Sequence, residues 1–318
     1  MKKLLAAVVL AAAAATVQAQ EWPSRPIRII SPFVAGGSND IATRLVAERL
    51  SPRLKQQVIV DNRPGANTRI ASEAVARAQA DGYTLIMAAA PHTTNPALYK
   101  DLPYDTLRDF TPIVQVVRAP LFVLVPAESP ARSARDLVER ARRDPGAANV
   151  SSPGNATAPH LALELFNHVA KVEFNHVPYK GDAPAMSDLV GGRLAAGVHP
   201  IVTPLPHLKS GRLRAVGVVG SARSALMPEV PSLAEQGFEG TDAYTWFGLV
   251  GPANLPPAIA ARLNREVNDI LAQPDVKERF AGIGMEIVGG SAESFAAFIR
   301  NDLQRWRTVV VARDIKPD

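Results

Sequence analysis

The chain has no cysteine and few aromatic residues, with three Trp, five Tyr and ten Phe among 318 residues. Without cysteine there is no thiol catalysis, no disulfide framework and no cysteine-ligated metal, so stability must come from packing. Sparse aromatics leave no stacking platform beside the basic residues, and nucleic acid is not an expected partner. Neither sign of charge dominates, since 35 Lys and Arg stand against 30 Asp and Glu for a formal charge of +5. The signatures of common enzyme sites are also missing. None of the six histidines (92, 160, 168, 176, 199 and 207) lies in H-E-x-x-H, no serine lies in G-x-S-x-G, and neither G-x-x-x-x-G-K-[ST] nor G-x-G-x-x-G occurs. Metal and cofactor are therefore not expected, and the histidines read as capping or packing groups. Ser152 has no assignable base, and nothing in the sequence pairs Asp40 with Asp182.

What is present begins with "MKKLLAAVVLAAAAATVQAQ": a positive start at Lys2 and Lys3, a short apolar run, and small residues at Val17 and Ala19. This is the layout of a secretory signal peptide over residues 1–19, cut after Ala19, and it predicts a periplasmic protein. The apolar run is short for a membrane anchor, since a bilayer needs roughly 20 apolar residues. Cleavage of 19 from 318 residues leaves 299, and loss of Lys2 and Lys3 lowers the formal charge from +5 to +3. A chain of that length favours two domains.

Short apolar runs alternate with helical patterns. Strand-like runs include "IRIIS" (27–31), "QVIVD" (57–61), "YTLIMAAA" (83–90), "NVSS" (149–152), "AAGVH" (195–199) and "TWFGLVG" (245–251). Helical faces are formed by Ile41, Ala42, Leu45, Val46 and Leu50, by Ile70, Ala71, Ala74, Val75 and Ala78, and by Leu161, Leu165, Phe166 and Val169. Ser38 is placed to cap the first helix and Ser51-Pro52 to end it. The alternation predicts α/β domains with largely parallel sheets. It breaks at 112–126, where two strand-like runs adjoin across "RAP", and at 228–252, a Pro- and Gly-marked stretch leading into a strand. These breaks predict two crossings between domains: a discontinuous domain over 22–121 and 244–318, and a second over 122–243.

Three loops can hold a ligand. "SPFVAGGSND" (31–40) feeds a strand through Gly36-Gly37 into a helix start, where unpaired N–H groups and the helix dipole favour an anion. A phosphate, a carboxylate, a metal or plain turn geometry all remain open from this loop alone. "NVSSPGNATAPH" (149–160) repeats the construction with Ser151, Ser152, Gly154, Asn155 and Thr157. "MAAAPHTTNP" (87–96) offers His92, Thr93 and Thr94 after small residues. Loops at the carboxyl ends of strands are where open α/β sheets bind ligands, so the expected site is a cleft between the domains.

Seven blocks in order resemble the substrate-binding proteins of tripartite tricarboxylate transporters, the Bug family. They are "WPSRPIRIISPFVAGGSND", "VIVDNRPGANTRIASEAVARAQADGYTLIMA", "NPALYKDLPYDTLRDFTPI", "SSPGNATAPHLALELF", "HVPYKGDAPAMSDLVGGRL", "PHLKSGRLRAVGV" and "PEVPSLAEQGFEG…WFGLVGP". The resemblance implies a type II periplasmic binding protein-like α/β fold: two domains, two hinge-crossing strands and a ligand cleft between them. It implies a non-enzymatic protein, expected to be a monomer, that holds a small carboxylate largely through backbone groups and water. Membrane subunits of a secondary transporter would be its partners. The same shell could instead present its ligand to a membrane sensor, and an exported hydrolase is disfavoured. The ligand-binding residues expected are Phe33, Ala35, Gly36, Gly37, Asp40, Ala89, His92, Thr93, Ser152, Gly154, Asn155, Thr157, His160, Tyr179, Lys180, Gly181, Asp182, His199 and Trp246. The chain departs from the family pattern at Ser151, Ala156 and Thr157, at "GANT" (65–68) followed by Arg69, and at His199, where an Asp or Asn is common.

Overall fold

The computed structural model describes residues 22–144, 146 and 148–312; the leader expected at 1–19 lies outside them. Among the described residues no helix is long and apolar enough to cross a membrane. The first half of the chain alternates β1 (Ile27–Ser31), α1 (Ser38–Leu54), β2 (Val58–Asn62), α2 (Arg69–Ala76), β3 (Thr84–Ala88) and α3 (Pro91–Leu98). A long strand, β4 (Phe110–Pro126), leads to α4 (Ala134–Arg143), β5 (Asn149–Ser152), α5 (Ala158–Ala170), β6 (Asn175–Pro178) and α6 (Asp182–Val190). Next come β7 (Ala196–Pro200), α7 (Leu205–Lys209) and β8 (Leu213–Val218). The chain then returns through β9 (Tyr244–Pro252) to α8 (Pro257–Ala272), α9 (Pro274–Gly282), β10 (Glu286–Ile287) and α10 (Ala292–Ala312).

The strands form one curled sheet in the order β2-β1-β3-β9-β4-β7-β5-β6, with β8 and β10 also paired to β4. Its outer arms are parallel, β1 lying between β2 and β3, and β5 between β6 and β7. Ile27, Ile29 and Ile30 are wholly buried, as expected where helices cover both faces of parallel strands. The centre departs from the expectation of largely parallel sheets, because β9 runs antiparallel to β3 and β4, and β4 antiparallel to β7 and β8.

The two runs expected on either side of "RAP" are one 17-residue strand. Its residues up to Pro120 pair with β9, and from Leu121 onward they pair with β7 and β8. Pro120, which has no N–H to give a ladder, sits opposite Tyr244, the first residue of β9, so its missing donor falls where the partner changes.

Three local expectations fail for identifiable reasons. Pro52 does not end α1, which runs to Leu54 and closes on Lys55 in the left-handed conformation. Ile70 is half exposed, because α2 buries Ala71, Ser72 and Val75 instead. The loop expected at 87–96 turns into α3 at Pro91, a residue pre-set for the first helical position. Finally, α10 joins the two halves: Phe295 and Ile299 pack with Trp246 in one core, while Trp306 and Val310 pack with Leu161, Phe166 and Val198 in the other.

Candidate ligand-binding site

Between the halves lies a small chamber of about 20 Å³, partly open to solvent. Four helix N-termini converge on it: Gly37-Ser38-Asn39 of α1, Ala90-Pro91 of α3, Thr157-Ala158-Pro159 of α5 and Gly181-Asp182 of α6. Each dipole brings partial positive charge, equivalent to roughly half an elementary charge, to its end. Among the described residues lining the chamber none is cationic. A wider vestibule opens from it past Phe33 and Pro153, lined by Gly65 to Arg69, Gly154, Asn155, Tyr179 and Lys180. The Arg69 guanidinium lies 4.5 Å from the Tyr99 ring centre, so the mouth carries the cations that the interior lacks.

The halves touch around the chamber. Val34 N–H donates to the Lys180 carbonyl at 3.3 Å, and Thr94 Oγ1 donates to the Ala156 carbonyl at 2.5 Å. Ser38 does not cap its own helix, contrary to expectation; α1 starts after Gly37 with no side-chain cap. Ser38 instead donates across the cleft to Asp182 Oδ2, from its N–H at 3.2 Å and its hydroxyl at 2.8 Å. Asp182 Oδ1 lies 3.0 Å from His199 Nδ1, and His199 Nε2 lies 3.0 Å from Ser151 Oγ.

That connectivity is the order of a Ser–His–Asp triad, which the sequence did not reveal. Ser151 is nevertheless wholly buried, packed beneath Gly197 and off the chamber wall. The chain of hydrogen bonds holds Asp182 in place at the chamber wall. Among the described residues no three His, Asp or Glu side chains gather as metal ligands.

The expected site residues divide by position. Phe33, Gly37, Ala89, Thr157, Gly181 and Asp182 line the chamber, while Phe33, Gly154, Asn155, Tyr179 and Lys180 line the vestibule. The buried Oδ1 of Asn155 has no partner and is an open acceptor at that wall. The Tyr179 hydroxyl is engaged by Asp188 at 2.6 Å; burial and this carboxylate push it up to about 12. Ala35 and Gly36 lie on the exposed side of the first turn.

Other expected residues support the walls from behind. Asp40 accepts from Gly36 N–H, Arg44 Nε and Asn62 Nδ2, each at 2.9 Å. Burial opposes its ionisation, but those hydrogen bonds and the Arg44 charge prevail and hold its carboxyl below the usual range. Ser152 Oγ bonds to Gly154 N–H and to His176 Nε2. His160 Nδ1 accepts from Ala156 N–H at 3.0 Å, and its ring stacks on His176 at 4.0 Å. Burial, with His176 alongside, pushes His160 down to about 3.

Three expected residues lie in cores away from the chamber. His92 faces Phe110 edge-on, and burial pushes it down to about 4. It belongs to α3, whose first turn directs it behind the wall that Ala89 and Pro91 form. Thr93 turns to Asp302, donating at 2.6 Å. Trp246 packs on Phe295 and Phe298, because strand alternation sends it to the opposite face from Thr245 and Phe247, which do line the chamber. That alternation was the sequence signal for the two neighbours. Ser38 and Asn39, wall residues not named individually, lie in the loop 31–40 that the sequence marked as able to hold a ligand, whereas no sequence signal pointed to Pro200.

Comparison with known proteins agrees with this architecture. The family described as "Tripartite tricarboxylate transporter family receptor" matches residues 42–315. Protein BugT of Bordetella pertussis is 36% identical over 316 residues, covering 98% of this chain and 97% of its own. Rpa4515 of R. palustris, solved with adipate, superposes with a TM-score of 0.90 at 33% identity, over 94% of this chain and 100% of that one. MatC of Rhodopseudomonas palustris, solved with bound malate, gives 0.87 at 29% identity, over 91% and 100% of the two chains. A match over most of the sequence, on a fold whose two halves meet at converging helix starts, places this chain in the tripartite tricarboxylate transporter receptor family.

Proposed function

We propose that this protein captures a small carboxylate between its two halves, in the periplasm, and delivers it to the membrane subunits of a tripartite tricarboxylate-type secondary transporter. The observation that carries this reading is the chamber itself, onto which four helix N-termini converge with no cationic side chain on the wall. Oriented dipoles in a site of limited water hold an anion without needing a guanidinium. The basic vestibule around Arg69 and Lys180 would steer anions inward. Relatives solved with adipate and with malate support the ligand class. The halves, 22–121 with 244–318 and 122–243, would rotate about the point where β4 changes partners and the return into β9.

Each dipole contributes roughly 0.3–1 kcal/mol, whereas micromolar binding needs about 8 kcal/mol. Hydrogen bonds and exclusion of water supply the remainder. The test is a thermal-shift screen of mono-, di- and tricarboxylates on protein stripped of ligand by unfolding and refolding. A ligand at a hundredfold excess over its Kd should stabilise the fold by about 2.7 kcal/mol. Shifts only with neutral sugars or cations would refute the carboxylate reading.

A further inference from the structure

The chamber already contains one carboxylate. Asp182 is the only ionisable side chain on its wall among the described residues, and it is 5% exposed. Its Oδ2 takes the N–H and hydroxyl of Ser38 at the start of α1, the position an anion from solution would otherwise occupy. Its Oδ1 is held by His199, which is held in turn by Ser151. His199 Nδ1–H donates to Asp182, and Nε2 meets the Ser151 hydroxyl, so the carboxylate is fixed in one orientation. No cationic side chain stands on the chamber wall beside Asp182.

The α5 end of the chamber is arranged differently. Pro159 has no N–H, and that of His160 goes to Thr157 Oγ1 at 3.4 Å, so Ala158 supplies the backbone donor of this turn. No acidic side chain stands at that end.

We propose that Asp182, positioned by His199 and Ser151, is a specificity-determining residue that restricts this site to ligands with a single carboxylate. The ligand carboxylate sits at the start of α5. Its far end faces Asp182 and carries a hydrogen-bond donor, such as an amide, a hydroxyl or an ammonium. A dicarboxylate spanning the chamber would bring its second carboxylate against Asp182, where like charges repel and the Ser38 donors are already used. Juxtaposed like charges of this kind are a recognised source of discrimination. The inference rests on the carboxylate reading proposed above.

The test is calorimetry with matched pairs that differ at one end only: succinate and succinamate, glutarate and glutaramate, adipate and adipamate. The wild-type protein should bind the best monoamide at least about tenfold more tightly than its diacid. Asp182→Asn removes the charge while keeping the size and an acceptor for Ser38, and should erase or invert that preference. Asp182→Ser makes the same test should the first variant melt early. Wild-type protein that binds a diacid as tightly as its monoamide overturns this inference alone, as does an unchanged preference in both variants. Failure of every probe with every protein overturns the carboxylate reading, and this inference with it.

Discussion

Two turns with the same plan, residues 31–40 and 152–160, face each other across the chamber, and they are braced by opposite kinds of chemistry. Each takes the chain from a strand end through a positive-φ glycine to a helix start. The first is tied by a buried carboxylate, Asp40, with Arg44 and Asn62 around it. The second is tied by neutral groups. Thr157 Oγ1 donates to the Gly154 carbonyl at 2.6 Å, Ser152 Oγ meets Gly154 N–H at 3.2 Å, and His160 holds Ala156. The first helix start is answered by Asp182 from the other half, whereas no protein charge answers the second. A shared backbone plan therefore fixes where helix dipoles point, while the side chains around each turn decide whether the dipole is free for a ligand.

The largest expected difference between the turns is steric. Gly154 has φ +148°, and a Cβ there would stand 2.9 Å from the Tyr179 carbonyl. Gly36 has φ +80°, with nothing nearer to its Cβ position than Ala183 Cβ at 4.0 Å. Gly154→Ala should cost about 1–3 kcal/mol or more, as a backbone region nearly restricted to glycine implies. Gly36→Asn should cost less than about 1 kcal/mol, since Asn adopts positive φ readily. Urea midpoints measure both, and equal losses would break the comparison.

Acid should separate the turns by a smaller amount. His160 is neutral in the fold, where it titrates at about 3, while an unfolded histidine titrates near its ordinary 6.5. The unfolded chain therefore takes up the proton first, and stability falls as pH drops from about 6.5 toward 3. At pH 5 the loss is roughly 2 kcal/mol for such a group. His92, titrating at about 4, shifts global stability in the same direction. The depressed carboxyl of Asp40 acts at lower pH: its contribution persists above the ordinary carboxylate range and disappears only as pH falls through its lowered value. Hydrogen exchange at pH 5, corrected for intrinsic rates, should show a larger loss of protection at 154–160 than at 36–40. His160→Gln should reduce the difference, and uniform loss in both turns would contradict it.

The smallest effect concerns the cap. Thr157→Val removes a hydroxyl that accepts from His160 N–H and donates to Gly154, and should cost about 1 kcal/mol. Thr157→Ser keeps both bonds and should cost little. A Val variant as stable as wild type would show that the second turn is braced by His160 and Ser152 alone.

Much of this architecture was legible in the sequence because it depends on local periodicity. The wholly buried isoleucines of β1 and the Ala42, Leu45, Val46 and Leu50 face of α1 follow from apolar spacing alone. The glycine turns at 36–37 and 154 follow from composition. Beyond the local misreadings at Pro52, Ile70 and Pro91, errors arose where a residue's partner is distant in sequence. Ser38 looks like a cap locally, yet its hydroxyl bonds Asp182, 144 residues away. Trp246 was expected among the ligand-binding residues, but its indole N–H points to Asp302 at 3.3 Å on the other face of β9.

The sequence by itself determined the alternation of strands and helices, the places where glycine permits a turn, and the absence of cysteine, metal motifs and nucleophile elbow, because each depends on residues within a turn or two of one another. Only the tertiary structure decided which groups face the chamber and which charge they carry there. Ser151, Asp182 and His199 sit on β5, α6 and β7 with no spacing to link them. They become a hydrogen-bonded chain only when β7 pairs beside β5 and the two halves close on Ser38. A buried hydrogen bond needs its partners within about 3 Å, and for residues so far apart along the chain only packing sets that distance.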